Sequence, residues 1–301
     1  MSDHLGTAWR TSSLTDLADR ASHPCAILHG PAMSVFAKLE RGPDAAARVH
    51  AELTGSRLLA EAGAVMVPRP LAEQGVPVTG GVLMLTEAVA EIPAAQRSEA
   101  DWRALGTALG ELHLRTANPA GDRDRLGGNR FGLDLDGWFG PLRQHNRPTA
   151  TWAEFYAERR LRPLLRDAVD SGSLPSGLAS GVDRVIDRLG KLAGPEPEPV
   201  LLHGDAQQNN LLATPDGAVL VDACPYYGHP EIDLALIDYF EPVPGAVLEG
   251  YREVHPIAEG FAERRELWRL HGYLAVAVVD GGTSFGRRML QRLADATRAL
   301  A

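Results

Sequence analysis

Residues 203–222 read His-Gly-Asp-Ala-Gln-Gln-Asn-Asn followed by Leu-Leu-Ala-Thr-Pro-Asp-Gly-Ala-Val-Leu-Val-Asp. Two apolar runs flank a Pro-Asp-Gly turn, and that pattern predicts a β-hairpin because proline presets the turn and glycine closes it. The hairpin folds Asp222 back beside Asn210. In front of it, Val200-Leu201-Leu202 predicts a short buried strand that delivers His203-Gly204-Asp205 at its end. A chain built around this segment must therefore gather Asp205, Asn210 and Asp222 at the mouth of one hairpin.

That gathering has a chemical meaning. Asp205 and Asn210 stand five residues apart. In kinase-type phosphoryl transfer an Asp takes the proton of the acceptor hydroxyl, an Asn five residues later binds Mg²⁺, and a further Asp holds the metal over the phosphates. One carboxylate and one amide oxygen suit a hard cation that fills its other positions with water and phosphate oxygens. The segment predicts ATP and Mg²⁺ as cofactors, with Asp205 as catalytic base and Asn210 and Asp222 as metal ligands. His-Gly-Asp alone is an ordinary turn; the strand before it and the metal pair behind it give it weight.

The composition fits such a protein and excludes others. At 301 residues, 45% hydrophobic and 23% charged, the chain can bury a sizeable core in one large domain or two lobes. Its net charge of -9 argues against a nucleic-acid or anionic-membrane partner. Positive charge for a nucleotide must then come locally, from a lysine and the metal. Only Cys25 and Cys224 occur, without a CxxC, which argues against a disulfide framework or a zinc site. The polar opening MSDHLGTAWR has no secretory character, and the apolar run at residues 273–279 is too short to span a bilayer. The expectation is a cytoplasmic monomer or homodimer acting on a small sugar-containing molecule.

Along the chain, residues 25–28 and 34–39 predict a hairpin, 44–62 a helix with Val49, Leu53 and Leu59 on its apolar side, 65–71 an edge strand or extended passage, and 81–87 a buried strand. From about Ile92 helices dominate. Ser98-Glu99-Ala100-Asp101 and Thr151-Trp152-Ala153-Glu154 have capping-box form, the second opening a helix kinked at Pro163. Further helices are predicted at 178–192, 231–240 and 284–300, and residues 117–150 form a loop-rich passage of the kind that often carries function. The expected plan is α+β and bilobal, with a nucleotide-binding lobe at 1–89 and a catalytic and substrate-binding lobe at 90–301.

Lys38 lies in the apolar strand Val35-Phe36-Ala37-Lys38, where kinases carry the phosphate-binding lysine and pair it with a Glu from the next helix. Glu52 shares a helix face with Val49 and Leu53 and is the leading partner; Glu61 and Glu40 are alternatives. Glu87 ends the strand that crosses into the second lobe, so the Glu87 carbonyl and the Val89 amide are expected to bind adenine. No GxGxxG or GxxxxGK[ST] is present, which excludes a P-loop ATPase and leaves the small residues around Ala21-Ser22-His23-Pro24 to cover the phosphates. Gln207, Tyr227, His229 and Glu231 follow the catalytic residues closely and are candidate acceptor contacts. Asp233 would hydrogen-bond the catalytic loop from below, and His113 reads as a core histidine.

These residues resemble the fructosamine kinase family, within the wider aminoglycoside phosphotransferase-like kinases. The matching stretches are Val35 to Lys38, Glu52 ahead of Val67-Pro68-Arg69-Pro70, Leu109-Gly110-Glu111-Leu112-His113, Phe131-Gly132, residues 152–161, His203-Gly204-Asp205 with Asn210, and Asp222 followed by Tyr227-Gly228-His229-Pro230-Glu231. The resemblance implies the bilobal protein-kinase-like fold, Asp205 as base, Asn210 and Asp222 on Mg²⁺, and Lys38 with Glu52 on the ATP phosphates. The family's Leu-Trp-Ser-Gly run between the Asp and the Asn is Ala206-Gln207-Gln208-Asn209 here, with Gln207 at the tryptophan. That change lies beside the acceptor. A ketosamine, in a deglycation repair role, and an antibiotic, aminoglycoside or nucleoside, both remain as substrates. A protein kinase is disfavoured because Asp222 is followed by Ala223-Cys224 and no Ala-Pro-Glu closes an activation segment. A non-catalytic pseudokinase is disfavoured because every expected polar position is filled.

Overall fold

The computed structural model describes residues 8–17, 23–117 and 131–300. Strands β1 (Ser13–Asp16), β2 (Cys25–His29) and β3 (Ser34–Glu40) follow one another antiparallel, and after helix α1 (Ala45–Glu61) come β4 (Val76–Val78) and β5 (Gly81–Glu87). They form one five-stranded sheet in the order β1-β2-β3-β5-β4. β3 is central, and Lys38 lies opposite Cys25 on one side and Met84 on the other. Val49 and Leu53, four residues apart on α1, pack onto Met84 and tie the helix to the sheet.

One detail differs from the sequence reading, and one open alternative is decided. β1 is exposed along its length and carries a single apolar residue, Leu14, so no apolar alternation announced it. Of the two alternatives for residues 65–71 the structure shows the extended passage, with isolated bridges at Met66 and Pro70, and the edge strand beside β5 is β4. Pro68 and Pro70 have no N–H to give a ladder, which explains why no regular strand forms there. In the expected phosphate-covering segment, Ala21 and Ser22 lie outside the described residues.

The larger part is mainly helical. Helix α2 (Glu99–Thr116) opens with a reciprocal cap, Asp101 N donating to Ser98 Oγ at 3.2 Å and Ser98 N to Asp101 Oδ2 at 2.7 Å. It buries Trp102, Leu105, Leu109 and Leu112. The passage at 117–150 contains a small hairpin, β6 (Gly137–Phe139) with β7 (Leu142–Gln144). Helix α3 begins at Trp152, capped by Thr151, and runs to Asp170 through a π-helical turn at Tyr156–Leu161. Pro163 cannot donate to the carbonyl one turn back, so the bend expected there appears as this loosened turn.

The helix expected at 178–192 is split at Arg188 into α4 (Ser176–Asp187) and α5 (Leu189–Leu192). Strand β8 (Val200–Leu201) leads to the hairpin β9 (Leu211–Thr214) and β10 (Gly217–Leu220), then β11 (Tyr227–Gly228) returns to pair with β8. Helices α6 (Glu231–Leu236), α7 (Ala246–Val254), α8 (Phe261–Asp280) and α9 (Ser284–Leu300) complete the chain. α6 stops short of the expected end at Phe240. Trp152, Tyr156, Tyr226, Tyr251 and Trp268 lie fully buried in one continuous core across these helices. Among the described residues no helix is long and apolar enough to cross a membrane.

Candidate active site

The site starts at the end of β8, where Gly204 takes φ +86° and a Cβ placed on it would sit 2.2 Å from the Cys224 carbonyl oxygen. Glycine is required there on both counts, conformation and space. The turn is clamped from below by Asp233 of α6, whose carboxylate accepts His203 N at 2.7 Å, Gly204 N at 2.9 Å and His113 Nε2 at 3.1 Å. His203 is fully buried, and burial lowers its pKa. Its Nε2 faces the Val221 carbonyl at 2.9 Å, which can only accept, and its Nδ1 lies 3.3 Å from the Asp205 amide. The ring is therefore a neutral Nε2–H tautomer that bridges both sides of the hairpin mouth. The expected roles of Asp233 below the loop and of His113 in the core match these contacts.

Asp205 projects from this turn with one oxygen tied down. Its Oδ2 accepts Gln207 Nε2 at 3.2 Å and Asn210 Nδ2 at 3.0 Å, and its backbone carbonyl takes the same Asn210 amide at 2.9 Å. Burial pushes its pKa up to about 7, against the pull of the Gln207 hydrogen bond. The β9–β10 hairpin behaves as the sequence predicts: Val221 N donates to Asn210 O at 3.0 Å, which sets Asp222 beside Asn210. Asp222 is the one non-glycine among the described residues with positive φ, +54°. Aspartate tolerates that left-handed conformation better than most residues.

Lys38 reaches the same place from β3. Its Nζ lies 2.8 Å from Glu52 Oε2, 3.3 Å from Asp222 Oδ1 and 4.0 Å from Glu40 Oε1. Burial alone would lower its pKa, but Glu52 and Asp222 outweigh burial and hold the ammonium charged. Two carboxylates around one ammonium do not respond alike. Burial pushes Glu52 up to about 8 despite Lys38, whereas at Asp222, where burial also pushes upward, the Lys38 charge together with hydrogen bonds from Glu52 and Lys38 outweighs it and holds the carboxyl below its usual range. Of the three acids considered for Lys38, Glu52 makes the close pair. Glu40 instead lies 2.9 Å from Arg48 Nε, and Glu61 is exposed.

Glu87 and Val89 lie where β5 leaves the sheet. Ala88 N donates to Ser34 O at 3.1 Å, so the Val35–Glu87 pair is non-hydrogen-bonded and the Glu87 peptide groups face away from β3. The Glu87 amide is taken by Arg69 O at 2.9 Å, and its side chain is an exposed partner of Arg69.

Three acceptor candidates are not at the cleft. Tyr227 pairs through its backbone with Leu201 and Gly132 and packs against the core. His229 is buried against Trp268, ring centroids 5.0 Å apart, and burial lowers its pKa to about 4. Glu231, only 2% exposed, is bound in bidentate fashion by Arg264 at 2.9 and 2.6 Å and by Trp268 Nε1 at 2.7 Å. The pairing of β11 with β8 turns the chain inward directly after the cleft, so nearness in sequence to Asp222 did not mean nearness in space. Gln207 does line the cleft, together with Lys38, Glu52, Asp205, Asn210 and Asp222.

Other residues of the cleft wall escaped the sequence reading. Arg48, Glu52 and Gly55 stand at i, i+4 and i+7 on α1 and face it together. Trp138 and Asn146, around the β6–β7 hairpin, form the opposite wall. The helical spacing of Arg48 and Gly55 relative to Glu52 was the available signal; for Trp138 there was none.

The residues fit a divalent cation and a nucleotide. Because the Asn210 amide nitrogen is spent on Asp205, its Oδ1 is the atom left for a ligand, and it sits next to an ionised Asp222. Two oxygen donors of this kind suit Mg²⁺ when phosphate oxygens supply further positions. A small antiparallel sheet carrying Lys38, set on a helical part carrying Asp205, Asn210 and Asp222, defines the kinase-like fold.

The chain belongs to the fructosamine kinase family, whose model matches residues 1–295. A relative from Klebsiella aerogenes, named a probable ketoamine kinase, is 31% identical over 178 residues; the match covers 59% of this chain and 58% of that protein. The chain thus spans under two thirds of the length of the first curated relatives it matches. Ketosamine-3-kinase of Mus musculus is 27% identical over 80% of this chain and 81% of its own length. A Thermobifida fusca structure described as a fructosamine-3-kinase candidate superposes with a TM-score of 0.79 at 31% identity, over 97% of this chain and 94% of the other. An aminoglycoside phosphotransferase superposes at 0.65 with 15% identity, covering 99% and 97%, and shares the fold.

Proposed function

We propose that this protein is an ATP- and Mg²⁺-dependent small-molecule kinase that phosphorylates a hydroxyl of a sugar-bearing acceptor of the ketosamine type. The observation that carries the reading is the meeting of Lys38, Asp205, Asn210 and Asp222 in one cleft of a fructosamine kinase family member. The name of the mouse relative supports a ketosamine acceptor, and aminoglycoside phosphotransferases of the same fold form complexes with ADP or AMP-PNP. In this reading residues 1–89 are the nucleotide lobe and 90–301 the catalytic and acceptor lobe.

Asp205, fixed through Oδ2 by Gln207 and Asn210, presents Oδ1 to the acceptor hydroxyl and takes its proton as the oxygen attacks the γ-phosphorus and ADP leaves. Burial that raises its pKa also makes it a stronger base for that step. Lys38, steered by Glu52, contributes positive charge to the phosphates. Asn210 Oδ1 and Asp222 would hold Mg²⁺, whose charge offsets that of the phosphates when it is bound. The Glu87 carbonyl and Val89 amide receive the adenine edge. Because the chemistry is mostly positioning and electrostatics, these few groups suffice.

The test is Mg²⁺-dependent ADP release from ATP against fructosyl-lysine, ribosyl-lysine, several aminoglycosides and sugar nucleoside antibiotics. Stimulation by a ketosamine is expected. Stimulation by an antibiotic alone would overturn the acceptor class, and no ATP binding at all would overturn the kinase assignment.

A further inference from the structure

We propose that Trp138 is a positioning residue for the nucleotide half of the site: the β6–β7 hairpin holds α1 through Arg48, so the Lys38–Glu52 pair is set only while that hairpin is docked. The inference rests on the kinase reading for its consequence and on geometry for its contact. The Arg48 guanidinium carbon lies 5.5 Å from the centroid of the Trp138 ring, within the range of a cation–π contact. Arg48 is otherwise held from its own lobe, by Glu40 through Nε and by the Arg41 carbonyl. It is therefore an ordered group that offers one face across the cleft.

The hairpin is anchored at its other end to the catalytic machinery. Gln144 Nε2 donates to the Cys224 carbonyl at 3.1 Å, two residues beyond Asp222. Asn146 Oδ1 accepts from the buried Arg160 at 2.7 Å, while Asn146 Nδ2 donates to Leu135 O at 2.9 Å. Asp136 takes Asn146 N at 2.9 Å and His145 Nδ1 at 3.1 Å, closing the base of the hairpin. A stiff arm thus runs from the loop after the metal aspartate up to Trp138.

The same face of α1 touches that loop once more. A Cβ on Gly55 would stand 2.7 Å from Pro225 Cδ and 3.2 Å from the Ala223 carbonyl, so backbone and ring meet there without room for a side chain. Glu52, between Arg48 and Gly55 on that face, carries the bond to Lys38. Beside the packing of Val49 and Leu53 on the sheet, these two contacts, one turn to either side of Glu52, hold the helix that aims it.

The experiment compares Trp138→Ala, Trp138→Phe, Arg48→Ala and the double alanine variant with the parent protein. Backbone hydrogen exchange across residues 45–61 is followed without nucleotide, and the Kd for Mg²⁺·AMP-PNP is measured alongside. Trp138→Ala and Arg48→Ala are each expected to speed exchange in α1 and weaken nucleotide binding by about 3- to 10-fold. Trp138→Phe, which keeps a ring face, stays within about 2-fold, and the double variant is no worse than the worse single one. Unchanged exchange in α1 of Trp138→Ala, or equal losses in the alanine and phenylalanine variants, overturns the proposal. Faster exchange with unaltered nucleotide affinity overturns its functional half. A parent protein that binds no Mg²⁺·AMP-PNP refutes the kinase reading instead, and the exchange arm still decides the contact.

Discussion

Replacing Asp233 by asparagine changes one heavy atom and removes the clamp under the His203–Asp205 turn. The carboxylate accepts three donors, the amides of His203 and Gly204 and the Nε2–H of His113, and all of this is buried. The asparagine keeps one oxygen and turns an NH₂ toward a donor, leaving at least one buried N–H without an acceptor. Each such orphan costs about 1–3 kcal/mol, more where the acceptor was charged. The expected loss for Asp233→Asn is roughly 2–4 kcal/mol, and for Asp233→Ala roughly 3–6 kcal/mol, set against a total stability on the order of 5–15 kcal/mol. Urea unfolding followed by circular dichroism reads this directly, with a fall in midpoint at constant slope. A thermal melt should drop by about 3–6 °C for the asparagine variant. A loss below about 1 kcal/mol for Asp233→Asn would refute the reasoning, because it would mean that water or a local shift satisfies the amides as well as the carboxylate does.

Asp205→Asn should lower kcat by about 10²- to 10⁴-fold while Mg²⁺·ATP still binds, and isothermal titration beside the turnover assay checks the split. Lys38→Met leaves Glu52 and Asp222 without their shared cation and should reduce kcat/KM for ATP by about 10²-fold, with near-parental kinetics counting against its phosphate role. The buried His229 and His271 have pKa values lowered from 6.5 to about 4 by burial, so the unfolded chain binds protons in that window and the fold does not. Stability is therefore fully retained above pH 6.5 and falls as pH drops toward 4, by roughly 3 kcal/mol for each histidine at the end of the window. Urea midpoints at pH 7.5, 6.0 and 5.0 test it, and a flat profile would show that these rings become charged without cost.

The parts of the site that could be read in advance are those set by short spacing. The β9–β10 hairpin, the return of Asp222 to Asn210 and the lysine on β3 followed from runs of a few residues, and the structure places these side chains in one cleft. The capping box at Ser98 and the apolar face of α2 were legible for the same reason. Failures came where local pattern and tertiary setting diverged. His229 and Glu231 follow Asp222 closely but are carried into the core by β11, and Glu231 spends its oxygens on Arg264 and Trp268. The exposed β1 has no apolar alternation and exists because β2 offers it a ladder.

By itself the sequence determined the meeting of Asp205, Asn210 and Asp222, because an Asp, an Asn five residues on and a hairpin-returned Asp are brought together by local geometry that no distant contact need supply. It also determined the α+β plan, a small sheet with one helix followed by a helical part, through hydrophobic period and turn residues, β1 and the β6–β7 hairpin excepted. The sequence favoured Glu52 as the acid for Lys38, and the tertiary structure decided against its alternatives: packing of α1 on β5 brings Glu52 to the lysine, while Glu40 at the end of β3 meets Arg48 and Glu61 stays exposed. The tertiary structure alone joined Arg48 to Trp138 and Gly55 to Pro225. Those contacts link segments far apart in the chain, and a pairing of that kind leaves no periodic trace in either partner; it exists only once the sheet, the hairpin and the helices have closed around one cleft.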